Sequence, residues 1–83
     1  MIYRIDPDGT RSTHTPKGKR WTLEELQSLV GGYIEAISLP SGNVALMDED
    51  GRMRRLPLNP TASALVGRAL VGPIVIGPAS ILS

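Results

Sequence analysis

The sequence predicts one small α+β domain, in which a mostly antiparallel sheet of about five to six strands carries one or two short helices. Three observations support this class. The chain has 83 residues, which suits one domain. Short β-prone runs alternate with turn residues, and two segments carry helix start signals. We expect a single domain over residues 1–83, with an N-terminal hairpin at 2–15 and a core at 22–77.

The N-terminal segment has the pattern of a β-hairpin. Ile2 to Ile5 alternates apolar and polar residues, which is typical of a strand. The run DPDG follows with turn residues, so Thr10 to Thr15 is the expected return strand. Pro16 to Arg20, PKGKR, is then a basic loop.

The clearest element is a short helix that begins after Thr22. Glu25 lies three residues beyond Thr22, which is the capping-box spacing, and Trp21 and Leu26 are placed for a hydrophobic staple. An apolar stripe at helical spacing completes the pattern. The stripe consists of Leu23, Leu26, Leu29 and Val30.

Two adjacent glycines, Gly31 and Gly32, follow this helix. A glycine-rich phosphate loop comes after a strand and before a helix, so that the phosphate meets helix amides. Here the order is reversed, since the glycines come after the helix and before a strand. The order favours a left-handed helix cap over a phosphate loop.

The next segment predicts a β-meander of three strands. Tyr33 to Leu39 is β-prone, PSGN is a turn, and VALMDED, residues 44–50, is the second strand. After a turn at DEDG, RMRRL, Arg52 to Leu56, is the expected third strand.

The C-terminal part predicts one more helix and one more strand. Asn59 is a suitable cap and Pro60 a suitable first helical residue, so a helix is expected from Pro60 to about Val66. Ile74 to Ile76 is the expected final, buried strand.

The composition excludes several classes of chemistry. The net charge of +1 argues against a nucleic-acid partner. The absence of cysteine excludes disulfides and thiolate sites, and His14 is the single histidine, without partners for a triad or a metal centre. The acidic run DEDG lacks the spacing of a calcium loop. We therefore predict a protein without catalytic activity, metal or cofactor.

Nothing in the sequence predicts a membrane partner. The N-terminus lacks the apolar run of a signal peptide. The apolar C-terminal stretch is too short and too interrupted by glycine and proline to span a bilayer. We expect a cytoplasmic protein, and the small aliphatic core favours a homo-oligomer.

Basic residues beside aromatic ones suggest a ligand site. Arginine presents a fork suited to phosphate, and an aromatic ring offers a stacking face, here Trp21 or Tyr33. The alternative is a solvated strand edge that discourages aggregation, with Glu35 paired to one arginine. The candidate ligand-binding residues are Arg20, Tyr33, Arg52, Arg54, Arg55 and Asn59.

Three motifs together resemble a known family. They are VGGYIE at Val30 to Glu35, LPLN at Leu56 to Asn59, and the apolar segment Gly72 to Gly77, within a stretch from Leu23 to Gly77. The pattern is similar to a family of small uncharacterised proteins of phages, prophages and conjugative elements, classed as a domain of unknown function. The chain departs from it in NPTAS, where many relatives have a long residue after the asparagine, and in its N-terminal hairpin.

The resemblance implies a context, an accessory protein in the host cytoplasm, rather than a mechanism. We expect an oligomeric binding module that sequesters a small anionic, nucleotide-like ligand in host counter-defence. The alternative is an inhibitor that binds a host defence or restriction protein without a small ligand. That alternative predicts an exposed aliphatic patch within Ala69 to Leu82.

Overall fold

A five-stranded antiparallel sheet and two helices form the domain, as the sequence predicts. The computed structural model describes residues 2–82. The strands are β1 (Ile2–Ile5), β2 (Arg11–His14), β3 (Ile34–Ser38), β4 (Asn43–Asp48) and β5 (Ile74–Pro78). The helices are α1 (Leu23–Val30) and α2 (Pro60–Val66), and a 3₁₀ turn, Ala79–Leu82, follows β5. No helix within residues 2–82 is long and apolar enough to cross a membrane.

The last strand lies at the centre of the sheet. The strand order is β2-β1-β5-β4-β3, so β5 joins the hairpin β1–β2 to the hairpin β3–β4. Ile76 is opposite Tyr3 on one side and opposite Ala45 on the other. The expectation of an exposed aliphatic patch within Ala69 to Leu82 is wrong, because the apolar side chains of this segment pack into the core on both faces of the sheet. Its buried apolar residues are Leu70, Ile74, Val75, Ile76 and Ile81, and Leu82 is half exposed.

The two helices lie on opposite faces of the sheet. Leu26 and Val30 of α1 pack with Val44, Leu46 and Val75 on one face. Side chains of a strand alternate between faces, so the next residues along β4 and β5 belong to the other face. There Ala62 of α2 and Leu70 pack with Ala45, Met47, Ile74 and Ile76. Strand β4 is thus buried on both sides, and each helix completes a separate half of the core.

Helix α1 has both of the ends that its sequence predicts. Thr22 Oγ1 accepts a hydrogen bond of 3.2 Å from the amide of Glu25, whose carboxylate accepts one of 3.1 Å from the amide of Thr22. At the other end Gly31 is left-handed, with φ of 91°, and its amide donates to Gln27 O over 2.7 Å. Gly31 is thus a helix cap, as predicted from the order of the elements.

The predicted third strand of the meander, Arg52 to Leu56, is wrong. This segment forms tight turns, in which Arg54 N donates to Asp50 O and Leu56 N donates to Gly51 O over 2.8 and 3.0 Å. Both edges of β4 are already paired, with β3 and β5, so no place beside it is left for a third strand of the meander. Arg52 and Arg54 consequently do not share a strand face.

Candidate functional site

The structure distributes the six predicted ligand residues over several places. Tyr33 and Arg54 line one cleft, and Arg52 lines a small pocket elsewhere. Arg20 lines two neighbouring clefts beside the basic loop. Arg55 is exposed on the turn after β4, and Asn59 is buried.

Arg54 is held in an ion pair at the end of β4. Its guanidinium donates to the carboxylate of Asp48, whose side chain is 2% exposed, and also to Gly31 O over 3.1 Å. The other carboxylate oxygen of Asp48 accepts the amide of Asp50 over 2.8 Å. Arg54 therefore ties the C-terminal end of α1 to the end of β4, which is a structural use of its charge.

The cleft beside Arg54 has the wrong charge for an anion. It has a volume of about 660 Å³, and its walls include Glu24, Tyr33, Asp48, Asp50 and Arg54. Three carboxylates thus face one guanidinium that is already paired. A phosphate here would meet net repulsion, because like charges at short range disfavour each other.

Arg52 and Arg55 do not form a common site with Arg54. Arg52 donates to Ala69 O over 3.0 Å and lines a pocket of about 100 Å³, which is below the size of small-molecule sites. Arg55 adopts a left-handed φ of 56°, which suits a tight turn. The local fold accounts for the position of both residues.

Asn59 is a core residue that connects three parts of the fold. Its side-chain oxygen accepts the amide of Ala62 and so caps α2. Its side-chain nitrogen donates to Ile5 O and Gly72 O over 2.8 and 2.9 Å. The residue is 0% exposed, so its polar groups are used within the protein.

Arg20 belongs to a cleft with a different character, which we call the basic cleft. It has a volume of about 420 Å³ and lies between the loop before α1 and the segment after β5. Its walls are Pro16, Lys19, Arg20, Trp21, Pro78, Ser80 and Ile81. Two cations and an indole ring line it, and no carboxylate from residues 2–82 does. Trp21 is half-buried and packs against the core on the α1 side, which fixes its ring.

Glu25 holds the loop that carries these cations. Its carboxylate accepts hydrogen bonds from the amide of Lys17 over 3.1 Å and from the amide and hydroxyl of Thr22 over 3.1 and 3.0 Å. These bonds, the one from Lys17 above all, lower the pKa of Glu25. Lys17 and Thr22 are both hydrogen-bonded to the Glu25 carboxylate, and Lys19 and Arg20 lie between them in the loop.

Sequence reasoning identified part of the basic cleft. The loop PKGKR, Arg20 and the stacking role of Trp21 are visible in the sequence, whereas Pro78 and Ser80 gave no signal. Pro78 and Ser80 line the cleft because the end of β5 lies beside the loop before α1, and this contact joins parts of the chain that are far apart in sequence. Within residues 2–82, no three histidine, aspartate or glutamate side chains cluster as metal ligands.

Comparison with known proteins places the chain among domains without an assigned activity. The family model described as "Domain of unknown function (DUF3846)" matches residues 1–82. No curated protein and no solved structure matches the chain.

Proposed function

The chain belongs to the DUF3846 family, whose domain has no assigned function, and we propose that it is a non-enzymatic module that sequesters a small anionic, nucleotide-like ligand. The observation that carries the proposal is the basic cleft, in which Lys19 and Arg20 lie beside Trp21 and no acidic side chain of residues 2–82 lines the wall.

The chemistry of this cleft suits a nucleotide. Lysine and arginine bind phosphate through charge-assisted hydrogen bonds. An indole ring stacks on a base and is tolerant of its identity. The volume of about 420 Å³ is within the range of small-molecule sites. The binding residues of the proposal are therefore Lys19, Arg20 and Trp21, in place of the arginines after β4.

The biological setting is part of the same proposal. The motifs VGGYIE and LPLN resemble those of phage, prophage and conjugative-element proteins. An accessory protein from such an element would act in the host cytoplasm, and sequestering a nucleotide signal would counter host defence.

We also propose a homo-oligomer, since a small aliphatic core gains stability from association. Light scattering after size exclusion measures this directly, and a monomeric mass at micromolar concentration would contradict it.

Calorimetric titration with nucleoside mono-, di- and triphosphates tests the ligand. We expect a nucleotide to bind the wild-type protein and the double variant Lys19→Ala/Arg20→Ala to bind it at least about tenfold more weakly, since each lost charged hydrogen bond is worth 1.5–3 kcal/mol. Arg68→Ala is the matched control, because Arg68 is also exposed but lies outside the basic cleft. Absence of nucleotide binding, or equal weakening by the control, would refute the proposal.

A second candidate function is inhibition of a host defence or restriction protein without a small ligand. The observation behind it is six exposed large apolar side chains, and a contiguous patch among them would suit contact with another protein. These are Leu23, Tyr33, Met53, Leu58, Leu65 and Leu82. Affinity purification from host lysate separates the two functions: a stoichiometric partner that is retained equally by the Lys19→Ala/Arg20→Ala variant favours the inhibitor.

A further inference from the structure

The basic cleft adjoins a second cleft with which it shares Arg20 and Trp21. We call the second one the polar cleft. It has a volume of about 630 Å³, and its walls include His14, Thr15, Lys17, Thr22, Glu24 and Ser28. Because the same arginine and the same indole border both spaces, one ligand can contact both at once.

The polar cleft differs from the basic cleft in its electrostatics. Lys17 and Arg20 are balanced by Glu24 and Glu25, so the lining has no net positive charge with His14 neutral. Glu25 accepts hydrogen bonds from the amides of Lys17 and Thr22, whereas Thr15 and Ser28 are exposed residues of the cleft wall that carry hydroxyl groups. Hydroxyl groups donate and accept, so they suit the hydroxyls of a sugar.

We propose that a nucleoside 5′-phosphate binds across the two clefts, with its phosphate on Lys19 and Arg20, its base on Trp21 and its sugar in the polar cleft. This inference rests on the proposed function and adds the class and orientation of the ligand. The asymmetry of charge sets the orientation: phosphate gains from two cations on the basic side, whereas on the other side Glu24 and Glu25 offset Lys17 and Arg20 and leave no net attraction.

The orientation limits phosphate to one end of the ligand. A second phosphate on the far side of the sugar would lie in the polar cleft, where Lys17 and Arg20 are offset by Glu24 and Glu25. Adenosine 3′,5′-bisphosphate should therefore bind no more tightly than AMP. A general attraction of anions to the basic loop predicts the opposite order, because the bisphosphate carries the greater charge.

Calorimetry with AMP, adenosine 3′,5′-bisphosphate and inorganic phosphate tests the inference. Ser28→Leu blocks the polar cleft with a residue that favours helix. We expect Ser28→Leu to lower the affinity for AMP roughly tenfold, as the loss of one or two hydrogen bonds predicts, and to leave the affinity for inorganic phosphate unchanged. Lys19→Ala should lower the affinity for both ligands. Ala64→Leu, on the exposed side of α2, is the control for a large apolar side chain on a helix surface.

Two results would overturn the inference while leaving the proposed function intact. One is AMP binding that depends on Lys19 and Arg20 but is unchanged by Ser28→Leu. The other is tighter binding of the bisphosphate than of AMP. Failure of the proposed function is a different result, in which no nucleotide binds the wild-type protein. Circular dichroism of each variant identifies any that has lost its fold, and for Ser28→Leu the substitution Ser28→Ala then serves in its place.

Discussion

Gly32 and Asp48 are packed so closely that a β-carbon on residue 32 would lie 2.7 Å from the Asp48 carboxylate. The same carbon would lie 3.1 Å from Nη1 of Arg54. The carboxylate is held by Arg54 and by the amide of Asp50, so it has little freedom to move away. The second glycine of the pair thus serves the packing of the ion pair, and the first serves the helix cap.

Replacing Gly32 with alanine should lower stability through this contact. Overpacking a closely packed site costs about 1–3 kcal/mol, which urea denaturation measures as a lower unfolding midpoint. Gly18→Ala is the matched control, because a β-carbon at residue 18 meets no atom within 4 Å. Equal midpoints for the two variants would show that the Asp48 carboxylate yields without cost.

Removing the guanidinium of Arg54 should destabilise the fold more than removing that of Arg55. Arg54→Ala leaves the buried carboxylate of Asp48 without its ion partner and Gly31 O without its donor. The expected cost is about 2–3 kcal/mol, below the 3–5 of a fully buried pair because Arg54 is half exposed to water.

Arg55→Ala is the comparison, since Arg55 is exposed and stands in the same turn. Thermal unfolding of both variants gives the difference. If Arg54 served mainly a ligand, its variant would keep the wild-type melting temperature and lose binding instead.

Asn59→Ala should be among the most destabilising single substitutions in the chain. It removes the cap of α2, worth about 0.5–2 kcal/mol, and leaves the carbonyls of Ile5 and Gly72 without this donor. A buried polar group without a partner costs about 1–3 kcal/mol. Asn43→Ala, at an exposed position on β4, should change the unfolding free energy little. An Asn59→Ala protein as stable as the wild type would contradict this structural role and leave ligand binding as the explanation for Asn59.

The stability of the fold should depend on the ionisation of Glu25. Its pKa is below its ordinary value when the protein is folded, chiefly because the amide of Lys17 donates to the carboxylate. A group with a lowered folded pKa stabilises the fold above its unfolded pKa, and this contribution is lost as pH falls through the folded value. Unfolding free energies should therefore decrease on acidification below about pH 5.

Glu25→Gln isolates this effect. The wild-type protein should exceed the variant in stability at neutral pH, and the difference should shrink as the pH is lowered. Glu24→Gln is the control, because Glu24 lies beside Glu25 but makes none of the hydrogen bonds that hold the loop. A difference between wild type and Glu25→Gln that stays constant with pH would contradict this account.

Local signals were sufficient for α1 and insufficient for Arg52 to Leu56. The cap, the staple and the closing glycine of α1 are all encoded within the eleven residues from Trp21 to Gly31, so the sequence predicts both ends correctly. The segment Arg52 to Leu56 follows a turn signal, as a third strand of a meander would, but its structure depends on β5, which lies about twenty residues away and occupies the free edge of β4. Local sequence patterns do not show which edges of a neighbouring strand are already paired with other strands.

The same limit applies to the candidate site. Three of the six candidate ligand residues, Arg52, Arg54 and Arg55, lie in the turns after β4, where Arg54 is paired with a buried aspartate. An ion pair six residues apart across a turn has no periodic pattern by which to recognise it. The loop PKGKR was visible in the sequence. The cleft that Lys19 and Arg20 form with Pro78 and Ser80 emerges only once the end of β5 is placed beside the loop.

The central position of β5 has a consequence for the order in which the protein is assembled on the ribosome. Synthesis runs from the N-terminus, so the two hairpins emerge well before the strand that connects them, and each leaves an unpaired edge during that interval. Long-range strand pairing of this kind is slow and exposes the nascent chain to aggregation. Productive collapse therefore depends on the last strand to be translated, and a stop codon before Ile74 would release two hairpins with no shared core.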